Sequence, residues 1–70
     1  MLIHMTKGKI KRYNESKGYG FIITDEGKDV FVHQSGFSRD YGYISEDQKV
    51  VFTIKQGDKG LVAVDVKQDN

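Results

Sequence analysis

Lys17-Gly18-Tyr19-Gly20-Phe21-Ile22 and, just downstream, Val30-Phe31-Val32-His33 decide how this chain is read. Side chains alternate faces along a β-strand, so Tyr19 and Phe21 share one side of the first segment while Gly20 and Ile22 share the other. Phe31 and His33 repeat the arrangement against Val30 and Val32. Pairing the two segments in register lays four flat rings side by side and points Ile22, Val30 and Val32 into a core. An antiparallel sheet normally keeps one face dry and one polar, whereas here one face is aliphatic and the other aromatic. A wet ring surface flanked by lysines is one on which unpaired nucleobases stack. A second sheet laid over the rings would instead make them ordinary sandwich core. Length weighs against that alternative. Seventy residues supply apolar material for one small core, with about 60% of the unfolded surface buried at this size. Using the aliphatic set for the core leaves the rings outside, where a contiguous apolar patch marks a binding site.

Working outward, period-2 segments separated by short turns run through the chain. Gly8 to Asn14 predicts a first strand, Tyr19 to Thr24 a second, Asp29 to His33 a third and Val50 to Lys55 a fourth. Leu61 to Lys67 predicts a fifth, with Val62, Val64 and Val66 on one face. Asp25-Glu26-Gly27-Lys28 reads as a hairpin connection in which Gly27 takes positive φ, and Gln56 to Gly60 as a second turn. No window carries apolar residues at i, i+3, i+4 and i+7, so no long helix is expected and at most one helical turn near Gln34 to Gly36. Gln34 to Gln48 is the one long connection, of a kind that in compact domains is functional or disordered. The expected fold is all-β, a five-stranded antiparallel Greek-key barrel of the OB type, because closure removes exposed sheet edges. Its second and third strands form the usual oligonucleotide face. Expected boundaries are a short extension over residues 1–6, one domain over 7–67 and a tail over 68–70.

The chain has no cysteine, which excludes disulfides, thiolate zinc sites and cysteine nucleophiles. No apolar run approaches the ~20 residues of a membrane helix, and Met1 to Met5 is too short for a signal peptide. A soluble, cytoplasmic protein is expected. The net charge of +1 is unevenly placed. Residues 1–23 hold Lys7, Lys9, Lys11, Arg12 and Lys17 against Glu15 alone, a net +4, and residues 24–70 hold six basic against nine acidic residues, a net −3. The positive excess sits on and beside the aromatic strand, where a phosphate backbone would run. Lysines that only solvate an edge strand account for Lys7 and Lys9 equally well.

With these residues in view, the chain resembles the cold-shock domain of bacterial cold-shock proteins and of the related Y-box proteins. Lys17 to Ile22 is similar to the family's first ribonucleoprotein motif, Lys-Gly-Phe-Gly-Phe-Ile, and Val30 to Gln34 to its second, Val-Phe-Val-His-Phe. Gly8 to Asn14 is similar to Gly-x-Val-Lys-Trp-Phe-Asn, and Gly57 to Val66 resembles the family's last turn and strand. An RRM shares the first motif but needs two helices behind its sheet, for which this chain has no pattern. The resemblance implies a stacking platform for single-stranded RNA and DNA, pyrimidine-rich by expectation. It implies ligand contact by Lys11, Tyr13, Lys17, Tyr19, Phe21, Phe31 and His33, and at the altered positions Arg12 and Gln34, where the family has Trp and Phe. The loop aromatic falls at Tyr41 or Tyr43. Phe37 follows a position where the family has a core aliphatic and is read as core, as is Phe52.

Strict alternation puts Arg12 on the Ile10 side, opposite Lys11 and Tyr13, so Arg12 reaches a ligand only if the strand bulges. Arginine lies flat on a base and adds charge, but losing an indole and a phenyl reduces stacking area, and weaker, more salt-sensitive binding is expected. Tyr13 has the alternative of capping the barrel end. Gly18 and Gly20 either keep backbone bulk off the platform or answer a bulge or close strand approach.

Stacking is worth roughly 1–3 kcal/mol per base, so four or five platforms predict micromolar to nanomolar affinity once association costs are subtracted. A DNA base-pair step is worth about 1.4 kcal/mol, and trapping opened bases therefore melts weak hairpins without fuel. No phosphate loop is present. His4 and His33 are too far apart in sequence to pair as ligands, and adjacent carboxylates Asp25/Glu26 and Glu46/Asp47 point apart on extended chain. No enzyme activity, metal or cofactor is expected. A second reading keeps the barrel and gives its aromatic face to a protein partner or to a strand-exchanged twin, with a monomer as the first expectation.

Overall fold

The computed structural model describes residues 5–69. The expected extension over 1–6 lies outside the described residues for positions 1–4, as does Asn70 of the expected tail. Five strands follow one another: β1 (Thr6–Asn14), β2 (Tyr19–Thr24), β3 (Asp29–His33), β4 (Lys49–Gly57) and β5 (Gly60–Gln68), with one 3₁₀ turn at Gln34–Gly36 after β3. They close into a barrel in the order β1-β2-β3-β5-β4. All neighbours are antiparallel except β3 and β5, whose short parallel contact pairs Phe31 with Val62 and Val32 with Ala63. The all-antiparallel expectation is corrected at that one seam. A Greek-key connection lays β5 beside β3 in the same direction, because the chain crosses the barrel end between them.

Alternation explains most of the interior. Ile10, Ile22, Val30, Val32, Val50, Phe52, Ala63 and Val66 are fully buried, and Tyr13, Phe37, Ile44, Ile54 and Leu61 pack against them at the edges. The β2–β3 hairpin turns through Gly27 at φ 89°, as expected. Thr24, the one buried polar side chain of the hairpin, accepts from the Lys28 amide at 3.0 Å. No buried side-chain nitrogen or oxygen among the described residues lacks a partner, as a small core demands.

Two strands break alternation by one residue each. In β1, Ile10 faces Ile22 while Arg12 faces Phe21, so Lys11 is an extra residue opposite a single step of β2. In β5, Val51 faces Lys67 and Thr53 faces Val64, so one residue of β4 spans Asp65 and Val66. Asp65 takes left-handed φ, 53°. The expected shared face of Val62, Val64 and Val66 is therefore overturned: Val66 turns inward with Ala63, while Val62 and Val64 stay half-buried. Bulges are the usual means of bending a strand around a barrel corner.

The long connection is tied down. Gln48 accepts from the Tyr41 hydroxyl at 2.7 Å and from the Ser45 amide at 3.1 Å, and donates to the Tyr43 carbonyl at 3.0 Å. The backbone of β1 completes the clamp through Ile10 and its partners Gln48 and Asp47.

Candidate nucleic-acid interface

Register on β2 and β3 sets the platform. Tyr19 lies opposite His33 and Phe21 opposite Phe31, so all four rings leave the sheet on one side. The Tyr19 and Phe31 centroids are 5.5 Å apart at 33°, and Phe21 meets Phe31 edge-on at 5.8 Å and 78°. Phe21 is 38% exposed; Tyr19 and Phe31 are half-buried and His33 is exposed. A tilted cluster of this kind presents ring faces in more than one plane.

The ends of the platform are built by local chemistry. Asn14 receives the Lys17 amide on its side chain at 3.1 Å and the Gly18 amide on its carbonyl at 2.8 Å. That turn needs left-handed φ, 74°, at Gly18 and leaves Lys17 exposed beside Tyr19. Gln34 lies over Gly18 and donates its backbone amide to the Gly18 carbonyl at 2.8 Å, which extends the face with an amide where the resemblance calls for a phenyl. The Ser35 amide donates to His33 Nδ1 at 3.2 Å, with Ser35 Oγ at 2.9 Å from the same nitrogen. An accepting Nδ1 puts the proton of the neutral ring on Nε2, at its outer edge.

Gly20 does not serve the platform surface. It faces inward, and a Cβ there would strike the Arg12 carbonyl and the Tyr13 backbone. Close approach of β1 to β2 explains it, and the same approach accompanies the bulge. By putting Arg12 opposite Phe21, the bulge supplies the condition under which Arg12 joins the ring side.

The same shift moves Tyr13 away. Tyr13 pairs with buried Gly20 and packs edge-on against Phe37 at 5.6 Å. Tyr13 therefore takes the barrel-end position that the sequence held open as its alternative, where burial, and secondarily Glu15, raises its hydroxyl pKa above the ordinary value. Tyr41 is corrected outright. It is 6% exposed, stands 4.8 Å from Phe37, and burial pushes its pKa up to about 12. Of the two loop tyrosines, Tyr43 is the one on the surface, 73% exposed.

Lys11, the bulged residue, reaches across β2 to Asp29, with Nζ 3.1 and 3.3 Å from the two carboxylate oxygens. Arg12 and Lys17 make no ion pair among the described residues. Asp29 escaped the sequence reading, although it stands two residues before Phe31 and alternation alone assigns it to the ring side. Asp58, Lys59, Leu61 and Val62 escaped it for a better reason. Only barrel closure brings the β4–β5 turn beside Phe21 and Phe31, where these residues wall an open groove of about 640 Å³. No cluster of metal-ligating residues occurs among the described residues, and none of their helices is long and apolar enough to cross a membrane.

Comparison with known proteins gives a consistent result. The profile of the 'Cold-shock' DNA-binding domain family matches residues 6–68. A "Cold shock-like protein" of Thermotoga maritima is 47% identical over 62 residues, covering 87% of this chain and 94% of that protein. "Cold shock protein CspC" of Bacillus subtilis is 42% identical over 65 residues, covering 91% and 98%. Among solved structures, "drosophila Unr CSD456" superposes with a TM-score of 0.83 at 25% identity. That match covers 97% of this chain, which spans only 28% of the solved one.

Proposed function

Because the chain belongs to the cold-shock domain family, we propose that it binds single-stranded RNA and DNA by stacking bases on Tyr19, Phe21, Phe31 and His33. Arg12, Lys17, Gln34 and Tyr43 extend the contact surface, and Lys11 acts from its ion pair with Asp29. The observation that carries this reading is the register that puts four rings on one side of a hairpin whose other side is fully buried. Stacking is indifferent to base identity, and the oligopyrimidine expectation rests on the resemblance alone. Binding unpaired bases stabilises opened hairpins, so the protein works as a passive RNA chaperone that influences transcription or translation, in the cytoplasm and as a monomer. It is a binding protein and not an enzyme.

The test is a fluorescence titration with a short labelled thymidine or uridine strand at rising salt. Association is expected to weaken steeply, with log K falling by about 0.7 per neutralised phosphate for each tenfold rise in salt. Phe31→Ala is expected to lose roughly 1–3 kcal/mol of binding while the protein stays folded. A folded protein that ignores the strand at low salt ends this reading and favours a protein partner on the same face.

A further inference from the structure

Arg12, Phe21, Lys11 and Asp29 line one recess of about 200 Å³ at the β1 edge of the platform. The Phe21 ring lies between two unlike walls. On the β1 side the bulge sets the Arg12 backbone opposite Phe21, and the Arg12 side chain lines the recess. On the β3 side stands the Asp29 carboxylate, held at 3.1 Å by the Lys11 ammonium. Side chains of Arg12, Phe21 and Asp29 are all exposed, so a base entering the recess meets a ring, a planar donor fork and an acceptor pair together.

Nucleobases differ in what they offer to such a combination. Guanine presents two acceptors, O6 and N7, to which an arginine fork donates in bidentate fashion. On the neighbouring edge it presents N1–H and N2–H₂, two donors matched to a carboxylate. Uracil and thymine offer one donor between two acceptors, cytosine has a single amino donor, and adenine pairs N7 with one amino group, so none fills both walls. Lys11 leaves carboxylate lone pairs free, since each oxygen accepts more than one hydrogen bond.

We propose that this recess is a guanine-selective subsite, in which Phe21 stacks the base, Arg12 reads O6 and N7, and Asp29, oriented by Lys11, reads N1–H and N2–H₂. The preferred ligand is then a single strand that sets one guanine over Phe21. This rests on the base-stacking reading above and adds a specificity to it.

A labelled hexauridylate and its variants with guanosine or adenosine at each position in turn, titrated against the full chain, test it. One guanosine position is expected to bind about tenfold tighter than uridine there, within the range of a good bidentate pair. In Arg12→Ala and, independently, in Asp29→Asn that ratio is expected to fall to about twofold or less, whatever the change in absolute affinity. A guanosine-to-uridine ratio near one at every position, with hexauridylate still bound, overturns the subsite and leaves the platform standing. So does an Arg12→Ala variant that weakens every strand alike and lowers the salt slope by about one, which assigns Arg12 to a phosphate. Failure to bind any strand at low salt overturns the platform and the subsite together.

Discussion

Phe21 and Ile22 are consecutive residues of β2, one 38% exposed on the barrel surface and the other 0% exposed inside it. Both are large and apolar, and their backbones share the same ladder. Hydrophobicity therefore does not decide which of them is core. The pleat does, by sending neighbours to opposite sides, and barrel closure does, by covering only one of those sides. A sheet face left bare in this way keeps its apolar area for a ligand, and the comparison between the two residues predicts opposite experimental signatures.

Ile22→Ala is expected to have the largest effect. Loss of a fully buried side chain combines lost transfer energy with a cavity, typically about 2–5 kcal/mol, a large fraction of a small domain's stability. Urea unfolding measures it, and the fraction that remains folded is expected to bind a short uridine strand as the parent does. Phe21→Ala should invert the pattern. Binding is expected to fall by roughly 1–3 kcal/mol, whereas stability loses no more than its edge contact with Phe31, about 0.5–1.5 kcal/mol. A Phe21→Ala protein that unfolds, or an Ile22→Ala protein that only binds less, would erase the distinction.

The inside and outside of this hairpin were legible in the sequence because alternation there is uninterrupted. So were the turn at Gly27, the helical turn at Gln34–Gly36 and the burial of Phe52. Alternation fails where a strand holds one residue too many. For β1 that failure was legible as a condition, since Arg12 reaches the ring side only through a bulge, and the bulge is there. For β5 it was not legible, because Val62, Val64 and Val66 make an unbroken pattern into which Asp65 fits as a polar alternate, and only its left-handed backbone departs from it. The loop aromatics were ambiguous for a different reason. Tyr41 and Tyr43 are two apart in an irregular segment, where no period assigns a face, and the Gln48 clamp decides between them.

Tyr41 extends the comparison to a ring that went inside. Tyr41→Phe removes the hydroxyl that donates to Gln48 at 2.7 Å, and a net loss of about 1 kcal/mol is expected, because Gln48 still accepts from the Ser45 amide. Its pH dependence is the sharper readout. Burial raises the Tyr41 pKa to about 12, so the folded state favours the neutral phenol. That contribution is fully present below the unfolded tyrosine value of about 10 and is lost as pH rises through about 12. The parent should therefore lose more stability than Tyr41→Phe between pH ~9 and pH ~11, read as the shift in urea midpoint. Equal shifts would place the Tyr41 ring in water, beside Tyr43.

The smallest effect is expected for Asp65→Gly, at the position where the β5 bulge sets which valine is buried. Its left-handed φ of 53° costs an ordinary L-residue roughly 1–2 kcal/mol, a cost that aspartate partly offsets by local hydrogen bonding. Glycine removes the steric cost but adds about 0.5–1 kcal/mol of unfolded-chain entropy. Asp65→Gly should thus be neutral or stabilising by up to about 0.5 kcal/mol, and Asp65→Val should be destabilising by about 1–2 kcal/mol. Valine, a strand former that resists left-handed φ, favours the regular strand over the bulge. If Asp65→Val proved the more stable of the two, β5 would run without its bulge, Val66 would leave the core, and Val62, Val64 and Val66 would share a face after all.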